Sequence, residues 1–188
     1  MDTLVRFDKS LLVFLHSLGS EAWDPFWLFI TNQFNWTPLF LLILYLFTRI
    51  YNWKGVLLLL VFVAIMVALS DQSVNQIRLI FGRLRPNNDP EIFDQLRFRL
   101  HPSNFSFVSG HATTSTMICI YCVSLLKHRY RQIYFFFLFP LVFSYSRIYL
   151  AVHFPLDILC GAAFGTLLAL MFIYLNKKIV DKLSNTLS

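Results

Sequence analysis

Gly55 to Phe81 reads GVLLLLVFVAIMVALSDQSVNQIRLIF, and the change of character along this stretch decides the fold. Up to Leu69 it is almost pure hydrocarbon, and it is long enough to cross a bilayer core, which takes about 20 helical residues. Its last third then carries Ser70, Asp71, Gln72, Ser73, Asn75, Gln76 and Arg78. Inside a membrane such a face must look into protein or a water-filled cavity, because lipid offers no partner for it. The stretch therefore predicts a spanning helix that belongs to a bundle and delivers polar groups into it at one end.

The rest of the chain has the same character. Of 188 residues, 57% are hydrophobic and 14% charged, and the mean hydropathy of +0.60 is too apolar for a soluble domain of this size. Further apolar segments at about 36–50, 109–126, 131–149 and 154–175 predict four more spans. Residues 3–18 mix Leu4, Leu11, Phe14 and Leu15 with Arg6, Asp8, Lys9 and His16 at helical spacing, as in an amphipathic helix lying in the interface. Gly19 ends it, and 21–33, rich in Trp and Phe, reads as a short helix at headgroup depth. Residues 83–108, with Pro86, Pro90, Pro102, Arg83, Arg85, Arg97 and Arg99, form an extramembrane loop. The expectation is an all-α integral membrane helical bundle in one domain, with about five transmembrane helices. It comprises N-terminal amphipathic and interfacial helices (1–34), two spans in 36–81, an outer loop (83–108), three spans in 109–175 and a polar tail (176–188).

The formal charge of +6 does not point to nucleic acid, because the basic residues sit in short clusters between apolar segments. With five crossings, Arg49 and Lys54, the cluster Lys127, Arg129 and Arg131, and the lysine-rich tail share one face, which the positive-inside rule makes cytoplasmic. The 83–108 loop and the turn near residue 150 then share the outer face, where the loop's arginines break that rule and call for another role. Arg97, Arg99 and His101 read as a solvated loop or as headgroup contacts, and His16 and His128 as interfacial. The first residues lack the pattern of a secretory signal. Cys119, Cys122 and Cys160 lie in apolar segments and read as packing rather than disulfide or zinc chemistry. Asn104-Phe-Ser106 matches the glycosylation pattern, as chance often allows.

Three polar clusters reach the outer face: Arg78 with Arg85-Pro86; Ser109-Gly110-His111; and Ser146-Arg147 with His153 and Asp157. Arginine, histidine and aspartate in an apolar setting mark a functional site. Three arginines converging with two histidines suit phosphate, since guanidinium forks bind its oxygens bidentately and stay charged. Ser109 and Gly110 open a span, so free N–H groups and the positive helix end would face the anion. Pro155 marks the first turn of the last span. His153 and Asp157, four residues apart, can share a helical face, placing a carboxylate against an imidazole. Asp71 reads as a partner of Arg78 or another site arginine.

Arg78-x6-Arg85-Pro86, Ser109-Gly110-His111 and Ser146-Arg147-x5-His153-x3-Asp157 together resemble the tripartite signature of the type 2 phosphatidic acid phosphatases. These lipid phosphate phosphatases share their site with vanadium haloperoxidases. Arg78 stands where the family usually has lysine, and Val108 where it usually has proline. The resemblance implies a metal-independent enzyme without cofactor acting on a lipid phosphate: undecaprenyl diphosphate, phosphatidylglycerol phosphate, phosphatidic acid or a lipid A phosphate. It implies His153 as nucleophile, Asp157 as its partner and His111 as general acid and base. Arg78, Arg85, Arg147, Ser109 and Gly110 would hold the phosphate. A phosphotransferase using the same site, or a non-catalytic lipid-phosphate binder or transporter, are the alternative functions.

Overall fold

The computed structural model describes residues 2–187, with side chains described over 3–178. Seven α-helices follow one another: α1 (Asp2–Ser17), α2 (Asp24–Thr31), α3 (Thr37–Thr48), α4 (Trp53–Phe81), α5 (Gly110–Leu126), α6 (Leu138–Tyr149) and α7 (Pro155–Leu187). Short 3-10 turns link several of them, and among the described residues there is no strand. Among the described residues two segments are long and apolar enough to cross a membrane, Trp53–Asn88 with mean hydropathy 2.4 and Pro155–Lys178 with 2.3. Gln33–Thr48 and Gly110–Leu126 are apolar but shorter.

Local chemistry sets the boundaries. The Asn52 side chain accepts from Gly55 N–H at 2.9 Å and caps α4. Gly82, at φ 58°, ends that helix in the left-handed conformation that costs glycine least. Residues 131–149 are not one α-helix, as expected from sequence, but a 3-10 segment (Arg131–Phe137) followed by α6. Pro140 gives the reason: it lacks the N–H for an i−4 bond and its ring crowds that turn, so α geometry begins only just before it. Within the Phe run, Phe135 faces outward while Phe136 is buried, so only part of this run faces lipid. The helical backbone of α7 also continues through the expected tail to Leu187; the tail's side chains beyond 178 lie outside the described residues.

The central helix is α5. On one side Cys119, Cys122 and Leu126 pack with Ile43, Phe47, Phe136, Phe139 and Phe143; on the other Met117 and Tyr121 meet Met66, Ala169 and Phe172. The two cysteines are free and buried, as packing residues. Glycine lets α7 lie unusually close to α5. A Cβ placed on Gly161 would meet the Ser109 carbonyl at 2.7 Å, and one on Gly165 would collide with the Thr113 carbonyl. This is the small-residue contact by which membrane helices bring their backbones together, and it draws the starts of α5 and α7 side by side.

The N-terminal helix turns its polar stripe inward. Asp8, Leu12 and His16 are buried, while Leu4, Phe7 and Phe14 face out. His16 is therefore not an interfacial side chain. Its Nδ1 lies 2.7 Å from the Tyr149 carbonyl and its Nε2 accepts Arg97 N–H at 2.9 Å, a pattern that requires the neutral ring with its proton on Nδ1. Burial agrees, lowering the pKa of His16. Nor is the 83–108 loop merely solvated. Lys9 pairs with Asp89 at 2.7 Å and Glu91 at 2.9 Å, and Arg99 with Asp24 at 2.6 Å and Glu21 at 3.1 Å. The loop arginines that break the positive-inside rule include Arg83 and Arg99, and both are fixed by acids of the N-terminal helices.

Candidate active site

The structure brings the three sequence clusters together. Arg78 ends α4, Arg85 enters from the loop, Ser109 to His111 open α5, Arg147 ends α6, and His153 and Asp157 flank the start of α7. Arg147, His153, Arg78 and Arg85 all stand within charge-interaction range of His111. Ser109 caps α5, its hydroxyl facing Ala112 N–H at 3.5 Å, and its own N–H donates to the Asp157 carbonyl at 3.1 Å, which pins the two helix starts together. The leading N–H groups of α5 have no intrahelical acceptor and open toward the same space.

Each arginine is aimed by neutral acceptors. Arg85 donates to the Asn104 carbonyl at 2.8 Å, to Asn104 Oδ1 at 2.8 Å and to the Val152 carbonyl at 2.7 Å. Its Nη1 also lies 3.3 Å from His153 Nε2. Arg78 donates to the Val108 carbonyl at 3.2 Å and reaches Asn75 Oδ1 at 3.4 Å. Arg147 donates to Thr31 Oγ1, and its buried Nε has no partner. Burial, reinforced by Arg78 and Arg147, holds the Arg85 pKa down to about 9. Guanidinium groups gathered in this way are suited to an anion.

His153 is 1% exposed and Asp157 fully buried. Their nearest approach, Nδ1 to Oδ2, is 3.5 Å, because the Ser106 hydroxyl donates to Asp157 and lies 3.3 Å from Nδ1. Asp157 also accepts Phe154 N–H at 3.0 Å and the Arg83 guanidinium at 2.7 Å. The carboxylate thus faces Nδ1 while Nε2 faces Arg85. Burial drives the His153 pKa down to about 3, with Asp157 opposing. The ring is accordingly neutral at ordinary pH, with the Nε2 lone pair turned to the Arg85 guanidinium.

Beside these groups a cavity of about 510 Å³ opens between α3, α4, α5 and α6. Arg78, Gly110 and His111 line one end, and Phe40, Val67, Ile118 and Phe139 the other. His111 stacks on Phe143, with centroids 4.8 Å apart. Asp71 lines this cavity too, but it does not pair with Arg78 directly: Asn75 stands between them, donating to Asp71 at 3.3 Å. Among the described residues no three His, Cys, Asp or Glu side chains group as metal ligands would.

Arg83, Asn104, Ser106, Thr31 and Asp8 also contribute to this surround and were not singled out by motif. A signal existed for some of them. Asn104 and Ser106 lie directly before the helix that carries His111, and Asp8 lies on one helical stripe with Leu12 and His16.

An all-helical fold with segments apolar enough to cross a membrane, gathering three arginines, two histidines and an aspartate in one place, has the make-up of a membrane phosphatase. The comparisons agree: the sequence model of the PAP2 superfamily matches residues 55–181, and the chain belongs to that superfamily. A lipid A 4'-phosphatase of Bacteroides thetaiotaomicron is 30% identical over 98% of this chain and 84% of its own length. The phosphatidylglycerophosphatase B of Bacillus subtilis is 30% identical over 68% of this chain and 61% of its own. Among solved structures, the transmembrane PAP2-type phosphatidylglycerolphosphate phosphatase from Bacillus subtilis superposes with a TM-score of 0.73 at 20% identity, covering 95% of this chain and 89% of that one. Aquifex aeolicus LpxE gives 0.65 at 23%, covering 88% and 93%. These last two likenesses concern the fold.

Proposed function

We propose that the chain hydrolyses the phosphate monoester of a membrane lipid through a phosphohistidine, and that its substrate is a lipid A type phosphate. The observation that carries this reading is the geometry of His153. Its Nδ1 faces Asp157 and Ser106 and its Nε2 faces Arg85, while Arg78, Gly110 and His111 of the same cluster line one end of a cavity whose other end is apolar. The apolar end suits acyl chains that stay in the bilayer while the phosphate enters the arginine cluster. The 30% relative that spans 98% of the chain favours lipid A over the other lipids.

In this mechanism the His153 Nε2 lone pair attacks phosphorus and the bond from phosphorus to the lipid oxygen breaks. The departing oxygen takes a proton from His111, which then removes a proton from water. That water attacks phosphorus, the N–P bond breaks, and phosphate leaves. Arg78, Arg85 and Arg147, with Ser109 and the Gly110 backbone, neutralise the equatorial oxygens, and Asp157 stabilises the charge that develops on the ring. Five crossings would place this site at the outer face and the C-terminus in the cytoplasm, consistent with Arg49, Lys54 and the 127–131 cluster at the opposite end.

The test is phosphate release by the purified chain from lipid A, phosphatidylglycerol phosphate, phosphatidic acid and undecaprenyl diphosphate, each with and without chelator. Highest turnover on lipid A, unchanged by chelator and abolished in H153A, is expected. Activity surviving H153A would overturn the mechanism, and preference for another lipid would overturn the substrate.

A further inference from the structure

The N-terminal helix reaches the site by a direct polar connection. Arg83 sits between two buried carboxylates: its Nη1 donates to Asp157 Oδ1 at 2.7 Å and its Nη2 to Asp8 Oδ2 at 2.5 Å. Its guanidinium carbon lies over the buried Phe154 ring, 4.0 Å from the centroid, which helps to hold the fork in place. The other oxygen of Asp8 accepts Leu156 N–H, in the first turn of α7, at 2.8 Å. The Arg83 carbonyl also accepts Ser106 N–H at 2.8 Å, and Ser106 in turn donates to Asp157. Arg83 therefore holds Asp157 twice, once by its own side chain and once through Ser106.

We propose that Asp8 and Arg83 are positioning residues for Asp157, which makes α1 part of the catalytic unit rather than only a membrane anchor. Arg83 takes up Oδ1 of Asp157 and so fixes Oδ2 as the oxygen that faces His153. A guanidinium alone in this place would cancel the negative field of Asp157 at the ring, where positive charge develops as His153 takes the phosphoryl group. Asp8, 3% exposed, supplies the second carboxylate, so the trio keeps one net negative charge toward His153. The inward polar stripe of α1 follows from this. Leu4, Phe7 and Phe14 face out, while Asp8 is buried and turned to the site.

The inference rests on His153 reacting as proposed above, and the experiment separates the two. Phosphate release from lipid A and from dioctanoyl phosphatidate is measured for the full chain, D8N, D8E, D157N and D8N/D157N, with size-exclusion profiles as the folding control. D8N is expected to lower kcat about tenfold, of the order seen when a supporting contact to a reacting group is lost, with KM within about twofold because Asp8 touches no phosphate. D8E is expected to recover part of the loss. In the D157N background, D8N is expected to have less than about a twofold effect, since Asp8 acts through Asp157. Unchanged kcat in D8N, or the same fractional loss in both backgrounds, overturns the inference while leaving the phosphatase reading intact. A wild-type chain releasing no phosphate overturns both. Should D8N not fold, R83K, which keeps the charge but loses the fork that spans both carboxylates, enters the same cycle with the same expected pattern.

Discussion

The closeness of α5 and α7 can be tested with one methyl group. In G161A the new Cβ lies 2.7 Å from the Ser109 carbonyl oxygen, where ordinary contact begins at 3.4 Å, so the helices must part locally by about 0.7 Å. The atom that is pushed belongs to the residue whose N–H bonds the Asp157 carbonyl and whose side chain caps α5, so the displacement falls between His111 and His153. Overpacking of this size costs about 1–3 kcal/mol, or a fall of roughly 2–10 °C in Tm for a chain of this length. Misplacement of reacting groups by somewhat less than 1 Å costs about 10- to 100-fold in kcat. G165A is the matched control. Its Cβ collides more severely, with the Thr113 carbonyl, one turn further from the site, so it is expected to lower Tm more than G161A while losing less activity per degree. Phosphate release and thermal unfolding in one detergent read both quantities. If G161A kept wild-type kcat and Tm, or if activity simply tracked Tm across both variants, the register of these two helices would not be what aligns the site.

Orthovanadate adopts the trigonal bipyramid of phosphoryl transfer and is expected to inhibit and to raise Tm; at 100 times its Kd the linkage gives about 2.7 kcal/mol, measurable by thermal shift and lost in R85Q. Acid is expected to destabilise the protein by a route that can be assigned. His153, held down to about 3 by burial, stays neutral when folded but takes a proton below about 6.5 when unfolded. The stability it confers is therefore fully present above pH 6.5 and is lost as the pH falls toward 3, by about 1.4 kcal/mol per unit. Tm measured from pH 7 to 4.5 is expected to fall, and H153N to flatten the slope, while buried His16, whose pKa is also lowered, leaves a residual dependence.

The residues proposed to react were legible as candidates because each is a polar residue in an apolar sequence, where only a site or an interface accounts for it. Arg147, His153 and Asp157 stand in oil, and Arg78 ends a helix whose first two thirds are hydrocarbon. Their supports were not legible, because in sequence they resemble ordinary residues. Arg83 is one basic residue among several in a loop, and Ser106 the end of a chance glycosylation match. Asp8 and His16 look like the wet side of an interfacial helix, since composition reveals that a helix has two faces without revealing which is turned inward. The Gly161-x3-Gly165 spacing is the exception, a small-residue signal present in the sequence that announces close helix packing. The break at 131–137 follows from Pro140, whose effect extends backward into a run that hydropathy alone reads as continuous.

The division of labour among the basic residues follows from what each is bonded to. Among the described residues, the ion pairs formed by lysine and arginine involve Lys9, Arg83 and Arg99, and each ties the loop or the start of α7 to the N-terminal helices. Arg78, Arg85 and Arg147 are instead oriented by carbonyl, amide and hydroxyl oxygens. A carboxylate would have aimed them equally well but would have neutralised the charge that the proposed phosphate site needs. Neutral acceptors fix direction and leave the field intact, so the donors stand ready before the anion arrives and need little reorganisation when charge shifts in the transition state. The cost is burial first and mutual repulsion second, both of which lower the pKa of Arg85. That cost is borne by helix packing, above all by the glycine contact between α5 and α7 and by the clamp of α1 onto the 83–108 loop. Removing the clamp is therefore expected to loosen the arginine cluster even though no clamp residue touches the phosphate.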